Sequence, residues 1–481
     1  MSSGALPTSR FGRRSLTRGR ALLRDATPAE ALIALMIVLA LWPPPVLNGK
    51  AWTAPGLLLV LLAAWHAIRE RRLPPLPVAL VAYVAVYAVA AIHGGALGET
   101  DVARFFVRPL LGVAVAALLV LPAQRFRMLV LVVAAALAEV PVTLVQTIQN
   151  VVHYGRDATL GADNVTGTLG ASQAGVLTLV AVLATCLVVS AWLAGTLRGR
   201  YATVLAVLLS AIGVFSSTRA LFVFLLVAAV GLVVGVLLAA RGHAPGRRLA
   251  VVLAGAVLAT PLSYLATRAI YPDAYKGVLS SQRVDVLGGA AAQGVPTPTP
   301  PRVSRVPSVK QTPPPTVAPV PPPSGVQLLP GRFAQLRLAR SLSLHDGPVT
   351  ALIGRGLGAS TLDPSYTLAQ QVPLPQRTGS TWVSLVLTES GWLGLAAFAG
   401  LLAWLILLAI RLRRAATDLA GAVLAIGLPS IAALTAVGAV FTTILDVRAY
   451  ATVFWVVVGV AVSSEARRPA SVLAGARGRT R

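Results

Sequence analysis

Acidic residues are scarce in this chain, with 16 Asp and Glu against 41 Lys and Arg, and only 12% of the 481 residues carry a charge. A soluble protein of this length has about twice that share of charged residues. Hydrophobic residues make up 56% of the chain, and they come in blocks of Leu, Val and Ala with polar breaks between them. Such blocks are typical of a bundle of membrane-spanning helices.

Cysteine occurs once, as Cys186 inside an apolar block, so an intramolecular disulfide and a cysteine-based metal site are excluded. The sequence contains no HExxH motif and no DxD motif in a predicted external loop. His93, His153 and His345 are isolated from one another along the chain. We therefore predict that the protein uses neither a catalytic metal nor a cofactor.

The net charge of +25 would suit a nucleic-acid-binding protein, but its distribution does not. The arginines form short clusters between apolar blocks rather than one basic face, which is the positive-inside pattern of membrane proteins. We therefore expect the lipid bilayer, and not nucleic acid, as a partner. A full-length span follows the basic N-terminal tail, so a cleaved signal peptide is not expected.

Twelve apolar blocks predict twelve transmembrane helices in an all-α, polytopic fold. Every second junction is rich in arginine, and this alternation places both termini in the cytoplasm, with the protein in the cytoplasmic membrane. The predicted spans are Ala29–Val46, Ala54–Ile68, Leu76–Ile92, Phe105–Leu121, Met128–Thr147, Ala171–Leu193, Ala202–Phe215, Leu221–Ala240, Leu249–Leu265, Trp382–Ile410, Leu419–Val440 and Thr452–Val462.

These boundaries divide the chain into five parts. Spans 1–9 occupy residues 29–265 and spans 10–12 occupy residues 381–464, with basic cytoplasmic tails at 1–28 and 465–481. Residues 266–380 form one long external loop. Within it, Val295–Pro323 is so rich in proline that it favours polyproline II and cannot build a core, so we interpret it as a disordered spacer.

Arg219 is the first candidate for chemistry, because it lies between two apolar spans on the side predicted to be external. It belongs to the segment SSTRA, which begins at Ser216 and includes Ser217. An arginine at the membrane boundary needs an anionic partner, and the guanidinium fork suits phosphate oxygens. The competing interpretation is an arginine that reaches outer lipid headgroups.

The last part of the long loop carries further arginines. Arg332–Arg340 reads as an amphipathic helix near the membrane surface, for which headgroup binding is the competing interpretation. Leu352–Gly358, which contains Arg355, is rich in glycine but lacks the Lys-Ser/Thr ending of a P-loop, so it predicts a tight turn close to the membrane.

Glu389 lies inside predicted span 10, where a carboxylate needs a partner or a function. Gly391 and Gly394 follow it and predict a break, with Trp382–Thr388 as a half-helix at the outer surface. Arg108 near the start of span 4 and Arg448 before span 12 also lie on the predicted outer side. If these arginines converge, they would form a site for a diphosphate or another anionic group.

Taken together, these features resemble the bacterial O-antigen ligase and O-antigen polymerase superfamily. The resemblance rests on about twelve spans, on SSTRA at the external end of span 7, and on the long external loop after span 9. It also rests on the order GRF…LR, GRGLG and ESGWLG along the chain. It covers the sequence from about span 3 to the C-terminus.

The resemblance implies a metal-independent glycosyltransferase of the C type at the outer face of the cytoplasmic membrane. The donor would be a glycan on undecaprenyl diphosphate, and the acceptor a glycan, lipid or protein. Arg219 and Arg332 match the arginines of the family that grip the diphosphate, with Glu389 as the third catalytic candidate. Substrate contacts are expected from Arg108, Ser217, Arg340, Arg355, Ser380 and Arg448.

One departure from the family concerns the general base. Lipopolysaccharide ligases carry a His-Asn pair ahead of the Glu-x-Gly segment, and here the corresponding residues are Ser380 and Thr381. A hydroxyl cannot act as a base at neutral pH without help. Glu389, Asp163 and His345 are alternative bases, and both a ligase and a polymerase fit the sequence. Outside this class, a flippase or transporter and a non-catalytic assembly factor remain alternatives.

Overall fold

The computed structural model describes the helical parts of the chain and the turns that join some of them. The described residues are 27–43, 52–70, 77–94, 106–155, 165–169, 173–216, 220–239, 246–272, 336–337, 339–341, 344, 347–357, 359, 381–415, 418–445 and 447–466.

Fourteen α-helices occupy most of these described residues, and no strand occurs among them. The helices are α1 Pro28–Leu41, α2 Thr53–Glu70, α3 Val78–Gly94, α4 Arg108–Leu118, α5 Pro122–Leu137, α6 Glu139–Tyr154, α7 Ala174–Leu193, α8 Gly199–Phe215, α9 Leu221–Ala239, α10 Gly246–Ile270, α11 Pro348–Ile353, α12 Trp382–Ala415, α13 Leu419–Phe441 and α14 Arg448–Ala466.

Six helical segments of the described chain are long and apolar enough to cross a membrane. They are Pro122–His153, Ala174–Leu193, Leu221–Leu238, Leu249–Ile270, Trp382–Arg414 and Leu419–Phe441. The helical character expected of a membrane protein is thus confirmed. Each of the twelve predicted spans overlaps a described helix, and span 5, Met128–Thr147, overlaps both α5 and α6. The full count of twelve crossings and the cytoplasmic location of the termini stay predictions.

Helices α7 and α13 form the centre of the bundle. In each of them 78% of the most apolar window is buried inside the protein, against 11% for α10. Helix α13 packs against α7, α9 and α12. Gly231 of α9 makes the close approach possible, since a Cβ there would lie 2.8 Å from the Ser430 amide nitrogen of α13. Small residues allow such contacts between membrane helices, where apolar burial alone does not select a partner.

Helix ends predicted to be cytoplasmic contact one another. Arg125 at the start of α5 pairs with Asp418, and the two side chains are 3% and 4% exposed. The same arginine donates to the Leu119 and Val120 carbonyls, where α4 ends. Other contacts at this level are Arg127 with Glu30 at 2.6 Å, Arg411 with Glu465 at 3.2 Å, and the bond from Ser463 to the Leu119 carbonyl at 2.6 Å.

Helix ends predicted to be external also meet each other. The contacts are from Arg108 to the Leu445 carbonyl at 3.2 Å, from the Trp382 amide to the Thr442 carbonyl at 3.1 Å, from Thr147 to the Phe215 carbonyl at 3.4 Å, and from Thr168 to the Leu41 carbonyl. The described contacts therefore agree with the alternating direction that the arginine pattern predicts for the helices.

The Arg125–Asp418 pair should matter for stability, because Asp418→Asn leaves a buried guanidinium without its anion. We expect a loss of about 3–5 kcal/mol in the free energy of unfolding, measured by denaturant unfolding in detergent. Asparagine still caps α13, so the loss would report the charge. Arg411→Gln is the matched control: that side chain is 41% exposed, and its pair should contribute at most about 1 kcal/mol. Equal effects of the two variants would contradict this ranking.

Sidedness can be tested with single cysteines, because Cys186 is the one cysteine of the chain and is buried. In a Cys186→Ala background, Ser341→Cys should react with a membrane-impermeant maleimide added to intact spheroplasts. Arg200→Cys should react only after the membrane is permeabilised. Both positions are exposed. In intact spheroplasts, labelling of the Arg200→Cys variant together with protection of the Ser341→Cys variant would reverse the predicted orientation.

Candidate functional site

Helix α12 is broken at Gly391, as the sequence predicts. Gly391 has φ 62° and ψ −160°, a conformation outside the helical region that L side chains rarely adopt. The rings of Trp382 and Phe398 approach to 6.3 Å, whereas a straight helix would separate these residues by about 24 Å along its axis. The break therefore turns the first part of α12 sharply against the second.

The first part of α12 is a buried polar half-helix. All of residues 381–390 except Val383 are buried, although the sequence predicts a position at the outer surface. Its hydroxyl groups bond within the same segment: the Thr388 side chain donates to the Ser384 carbonyl, and the Ser390 side chain to the Val386 carbonyl. Such back-bonding keeps buried hydroxyl groups satisfied and accompanies helix bends.

The predicted glycine turn docks onto this break. Helix α11 ends at Ile353 and is capped by Gly354, and the next two amides donate to α12: Arg355 to the Thr388 carbonyl at 2.9 Å, and Gly356 to the Glu389 carbonyl at 3.1 Å. These carbonyls are the ones that an interrupted helix leaves without their usual partners. The turn thus supplies the hydrogen bonds that the break removes.

Glycine is required on both sides of this contact. Gly354 has φ 80°, and a Cβ there would overlap the backbone of Glu389 and Ser390. A Cβ on Gly391 would lie 2.6 Å from the Ala351 carbonyl oxygen. The two glycine-containing segments that carry the resemblance, GRGLG and ESGWLG, are therefore in direct backbone contact.

The docked turn positions two of the predicted site residues. Glu389 is fully buried in the half-helix. The Arg355 side chain, whose amide is bound to the same half-helix, is partly exposed. Arg340 lies exposed in the helical stretch that precedes α11, and Ala339 beside it is buried, in keeping with the predicted surface helix.

Arg108 and Arg448 form a second group at the external ends of α4 and α14. Arg108 donates to the Leu445 carbonyl at 3.2 Å, three residues before Arg448. Its guanidinium lies 5.7 Å from the centre of the Trp52 ring, a cation–π distance. Arg448 makes no ion pair or hydrogen bond with the residues that the structure describes, and its Nε atom is buried.

The two arginines come together because α4 and α14 run parallel. A Cβ on Gly112 would lie 3.2 Å from the Trp455 carbonyl oxygen, and a Cβ on Gly459 would lie 2.6 Å from Val115. Both helices therefore begin at the same end of the bundle, and each begins with an arginine. The positive ends of two helix dipoles add to the two side-chain charges.

Burial affects the Arg448 guanidinium, which lies ahead of the predicted span Thr452–Val462. Burial lowers the pKa of Arg448, and no carboxylate among the described residues opposes this shift. Arginine ordinarily keeps its proton far above neutral pH, so the group stays charged at neutral pH. A half-buried cation of this kind has an electrostatic reason to bind an anion.

Sequence reasoning missed a third group, which lies on α6. Glu139 is fully buried inside the segment predicted as span 5. Its carboxylate accepts the Thr168 amide at 3.0 Å and the Thr168 hydroxyl. Gln146 lies two turns further along and bonds to the backbone of Thr166 and Gly167 at 2.7–3.1 Å. The argument that singles out Glu389, a carboxylate within an apolar block, applies equally to Glu139.

These contacts fix residues 165–169, which belong to the predicted external segment between spans 5 and 6. Residues 165–169 are not helical, yet they lie beside α6 at the level of Glu139. Irregular backbone is tolerated at membrane depth only where protein groups satisfy its amides and carbonyls. Glu139 and Gln146 meet that requirement, which gives both residues a structural role.

Several predicted site residues lie outside the described residues: Ser217, Arg219, Arg332 and Ser380, with the alternative bases Asp163 and His345. The residues on both sides of the undescribed part of SSTRA, Ser216 and Ala220, are described. The Phe215 carbonyl accepts a bond from Thr147 of α6, and Ser216 lies 3.2 Å from the Thr178 hydroxyl. The SSTRA segment therefore starts beside Thr147 of α6. In the described part of the chain, no three His, Cys, Asp or Glu residues could hold a metal ion together.

Docking of the glycine turn can be tested with trypsin, which cleaves after arginine. Gly354→Ala introduces a Cβ that overlaps α12, so the Arg355–Gly356 bond should be cleaved at least about tenfold faster, corresponding to about 1.4 kcal/mol of lost docking. The fragment that begins at Gly356 reports this cleavage. Gly400→Ala in α12 is the control, since a Cβ there meets nothing within 4 Å. An unchanged cleavage rate in Gly354→Ala would contradict the docking.

Comparison with known proteins adds no relative: no protein-family model matches the chain, and no curated protein matches it.

Proposed function

We propose that the protein transfers a glycan from an undecaprenyl-diphosphate carrier to an acceptor at the outer face of the cytoplasmic membrane, as a ligase or a polymerase in cell-surface polysaccharide assembly. The proposal includes twelve spans with both termini in the cytoplasm and a long external loop between α10 and α12. It includes no metal and no cofactor.

The observation that carries this proposal is the pair of arginines at the N-termini of two parallel helices. Arg108 is anchored by the Leu445 carbonyl and the Trp52 ring, and Arg448 lies three residues beyond Leu445. Two guanidinium groups and two helix N-termini at one end of an apolar bundle suit a multiply charged anion with an apolar tail. A polyprenyl diphosphate has this composition.

The reaction would exchange one bond of the sugar for another. The bond between the anomeric carbon and the diphosphate oxygen breaks, and the electron pair leaves with undecaprenyl diphosphate. The acceptor hydroxyl forms the new bond to the anomeric carbon and loses its proton to a base. Because negative charge grows on the departing diphosphate, cationic groups stabilise the transition state more than the bound donor.

Different residues are proposed for binding the diphosphate, binding the rest of the donor and accepting the proton. Arg219 and Arg332 are proposed to grip the diphosphate during the reaction, as the family resemblance implies. Arg108 and Arg448, with Arg340 and Arg355, would bind the donor, and Ser217 and Ser380 would contact its polar groups. Glu389 is proposed as the proton acceptor, because it is held in the half-helix whose carbonyls bind the Arg355 turn.

A transporter of the same lipid is the alternative from another class. Broken helices of the α12 kind occur in transporters, usually as matched pairs in two halves of the chain. In the described residues, the Gly391 break in α12 has no counterpart with a positive φ inside another helix. The transfer reaction is therefore favoured over transport.

The test uses purified protein in liposomes with a labelled undecaprenyl-diphosphate glycan and an acceptor glycan. We expect release of undecaprenyl diphosphate. Arg219→Ala and Arg332→Ala should abolish this release, whereas Arg108→Ala and Arg448→Ala should raise KM about 10- to 100-fold, the cost of a charge-assisted hydrogen bond. Arg200→Ala is the control, because this exposed arginine stacks on its neighbour Tyr201 at the predicted cytoplasmic end.

Two outcomes would overturn the proposal. Movement of the intact lipid across the bilayer without release of the diphosphate would identify a transporter instead. Full activity of both Arg108→Ala and Arg448→Ala would show that the paired helix ends do not bind the donor.

A further inference from the structure

Helix α6 carries its polar residues inside and its apolar residues outside. Thr143, Thr147 and Asn150 are buried, while the apolar residues on the other face are exposed: Leu144, Val145, Ile148 and Val152. The buried residues recur every three or four positions, so they share one face of the helix. This pattern is the reverse of a soluble helix and fits a helix with its apolar face toward lipid.

Helix α10 repeats the same reversed pattern. Ser263, Thr267 and Tyr271 are 6%, 1% and 0% exposed and follow one another at intervals of four residues. The apolar residues of α10 are exposed instead: Val251, Leu253, Val257, Leu258, Leu262 and Leu265. Two neighbouring membrane-type helices thus turn hydroxyl and amide groups into the protein.

The two polar faces meet at the external end of the bundle. Tyr271 packs against Val151 of α6, and the side chains of Thr147 and Asn150 are the polar neighbours of its hydroxyl. Helix α8 packs against both helices, and its last carbonyl, that of Phe215, accepts the Thr147 hydroxyl at 3.4 Å. We refer to Thr147, Asn150, Ser263, Thr267 and Tyr271 as the α6–α10 polar patch.

The patch has more hydrogen-bonding capacity than the protein uses. Within the described part of the chain, the Tyr271 and Thr267 hydroxyls are buried and make no hydrogen bond of regular geometry. Buried polar groups without partners are rare, because each costs about 1–3 kcal/mol. Burial also raises the pKa of Tyr271, so its hydroxyl stays protonated at neutral pH and can both donate and accept.

The chemistry of the patch differs from that of the arginine pair. Its side chains are neutral, and its hydroxyl and amide groups both donate and accept hydrogen bonds. They offer nothing that would favour a phosphate over water. A ligand with several neutral hydroxyl groups, such as a sugar ring, matches the set. The neighbouring carboxylate, Glu139, is already engaged by Thr168.

We propose that the α6–α10 polar patch binds the neutral carbohydrate part of the donor, next to Phe215 and the start of the SSTRA segment. The ligand class follows because the side chains of the patch are neutral and can both donate and accept hydrogen bonds. The assignment of this ligand to the donor rests on the proposed function. Tyr271 and Thr267 would recognise the sugar and contribute to specificity, whereas Arg108 and Arg448 would bind the diphosphate of the same molecule.

The test compares binding of two probes to the full-length protein in detergent: undecaprenyl diphosphate, and undecaprenyl diphosphate bearing one N-acetylhexosamine. Tyr271→Phe and Thr267→Val remove one hydroxyl each and leave the shape nearly unchanged. Each variant should weaken binding of the sugar-bearing probe about 5- to 10-fold, the loss expected for one neutral hydrogen bond. Binding of the bare lipid should not change.

Two further variants serve as references. Arg108→Ala should weaken binding of both probes alike, because it acts on the diphosphate. Tyr264→Phe is the matched control: this tyrosine lies on the same helix, is 37% exposed, and packs its ring against Phe222. It should bind both probes as the native protein does. Thermal unfolding should show nearly unchanged stability for Tyr271→Phe and Thr267→Val, since neither removed hydroxyl makes a hydrogen bond of regular geometry with the described residues.

The outcomes separate the two proposals. Unchanged binding of the sugar-bearing probe in both Tyr271→Phe and Thr267→Val would overturn the sugar site, with bound water as the remaining occupant, and would leave the proposed function intact. Equal weakening of both probes would overturn it as well, because the patch would then act on the lipid or the fold. Failure of the native protein to bind either probe would overturn the proposed function itself.

Discussion

Interior polar groups in an apolar bundle must find partners within the chain, and the described structure depends on this constraint. Helix α12 breaks at Gly391, and the amides of the glycine turn bind the carbonyls that the break exposes. The loop residues 165–169 lie beside a membrane-type helix, and Glu139 and Gln146 bind their amides. In both places protein groups, instead of water, make the hydrogen bonds that the irregular backbone needs. The irregular backbone is therefore held in one arrangement.

The same constraint is met differently at the two ends of the bundle. At the predicted cytoplasmic end, full charges are neutralised by full charges, as in the pairs Arg125–Asp418 and Arg127–Glu30. At the predicted external end, backbone carbonyls receive bonds from Arg108 and Thr147, while Arg448 keeps its charge without a described partner. Among the described residues, ion pairs neutralise buried charges at the predicted cytoplasmic end, whereas the half-buried Arg448 at the predicted external end has no described counter-charge. This difference is the reason for proposing that the donor binds at the external end.

Much of this architecture could be predicted from the sequence, because it depends on local patterns. Apolar blocks predict the helices, and Gly391 predicts the break in α12, since both effects operate within a few residues. Contacts between distant segments follow no such pattern. The docking of Gly354 on Glu389 and the parallel packing of α4 and α14 through Gly112 and Gly459 depend on the shapes of facing surfaces. Glu139 is the exception, because the rule that singles out Glu389 should have found it.

The predicted external end carries two kinds of groups that can bind a ligand: charged arginines and neutral hydroxyl groups. Because these two kinds of groups recognise different chemistry, they limit which ligand can bind both. The arginines of α4 and α14 offer positive charge, which attracts any anion and discriminates little among lipids that share a diphosphate. The α6–α10 polar patch is neutral, so it gains little from charge and discriminates by the positions of hydroxyl groups. A ligand that satisfied only the first would leave the buried hydroxyls of Thr267 and Tyr271 without partners. A molecule with an anionic part and a polyol part would satisfy both, and a sugar on a lipid diphosphate is built in this way.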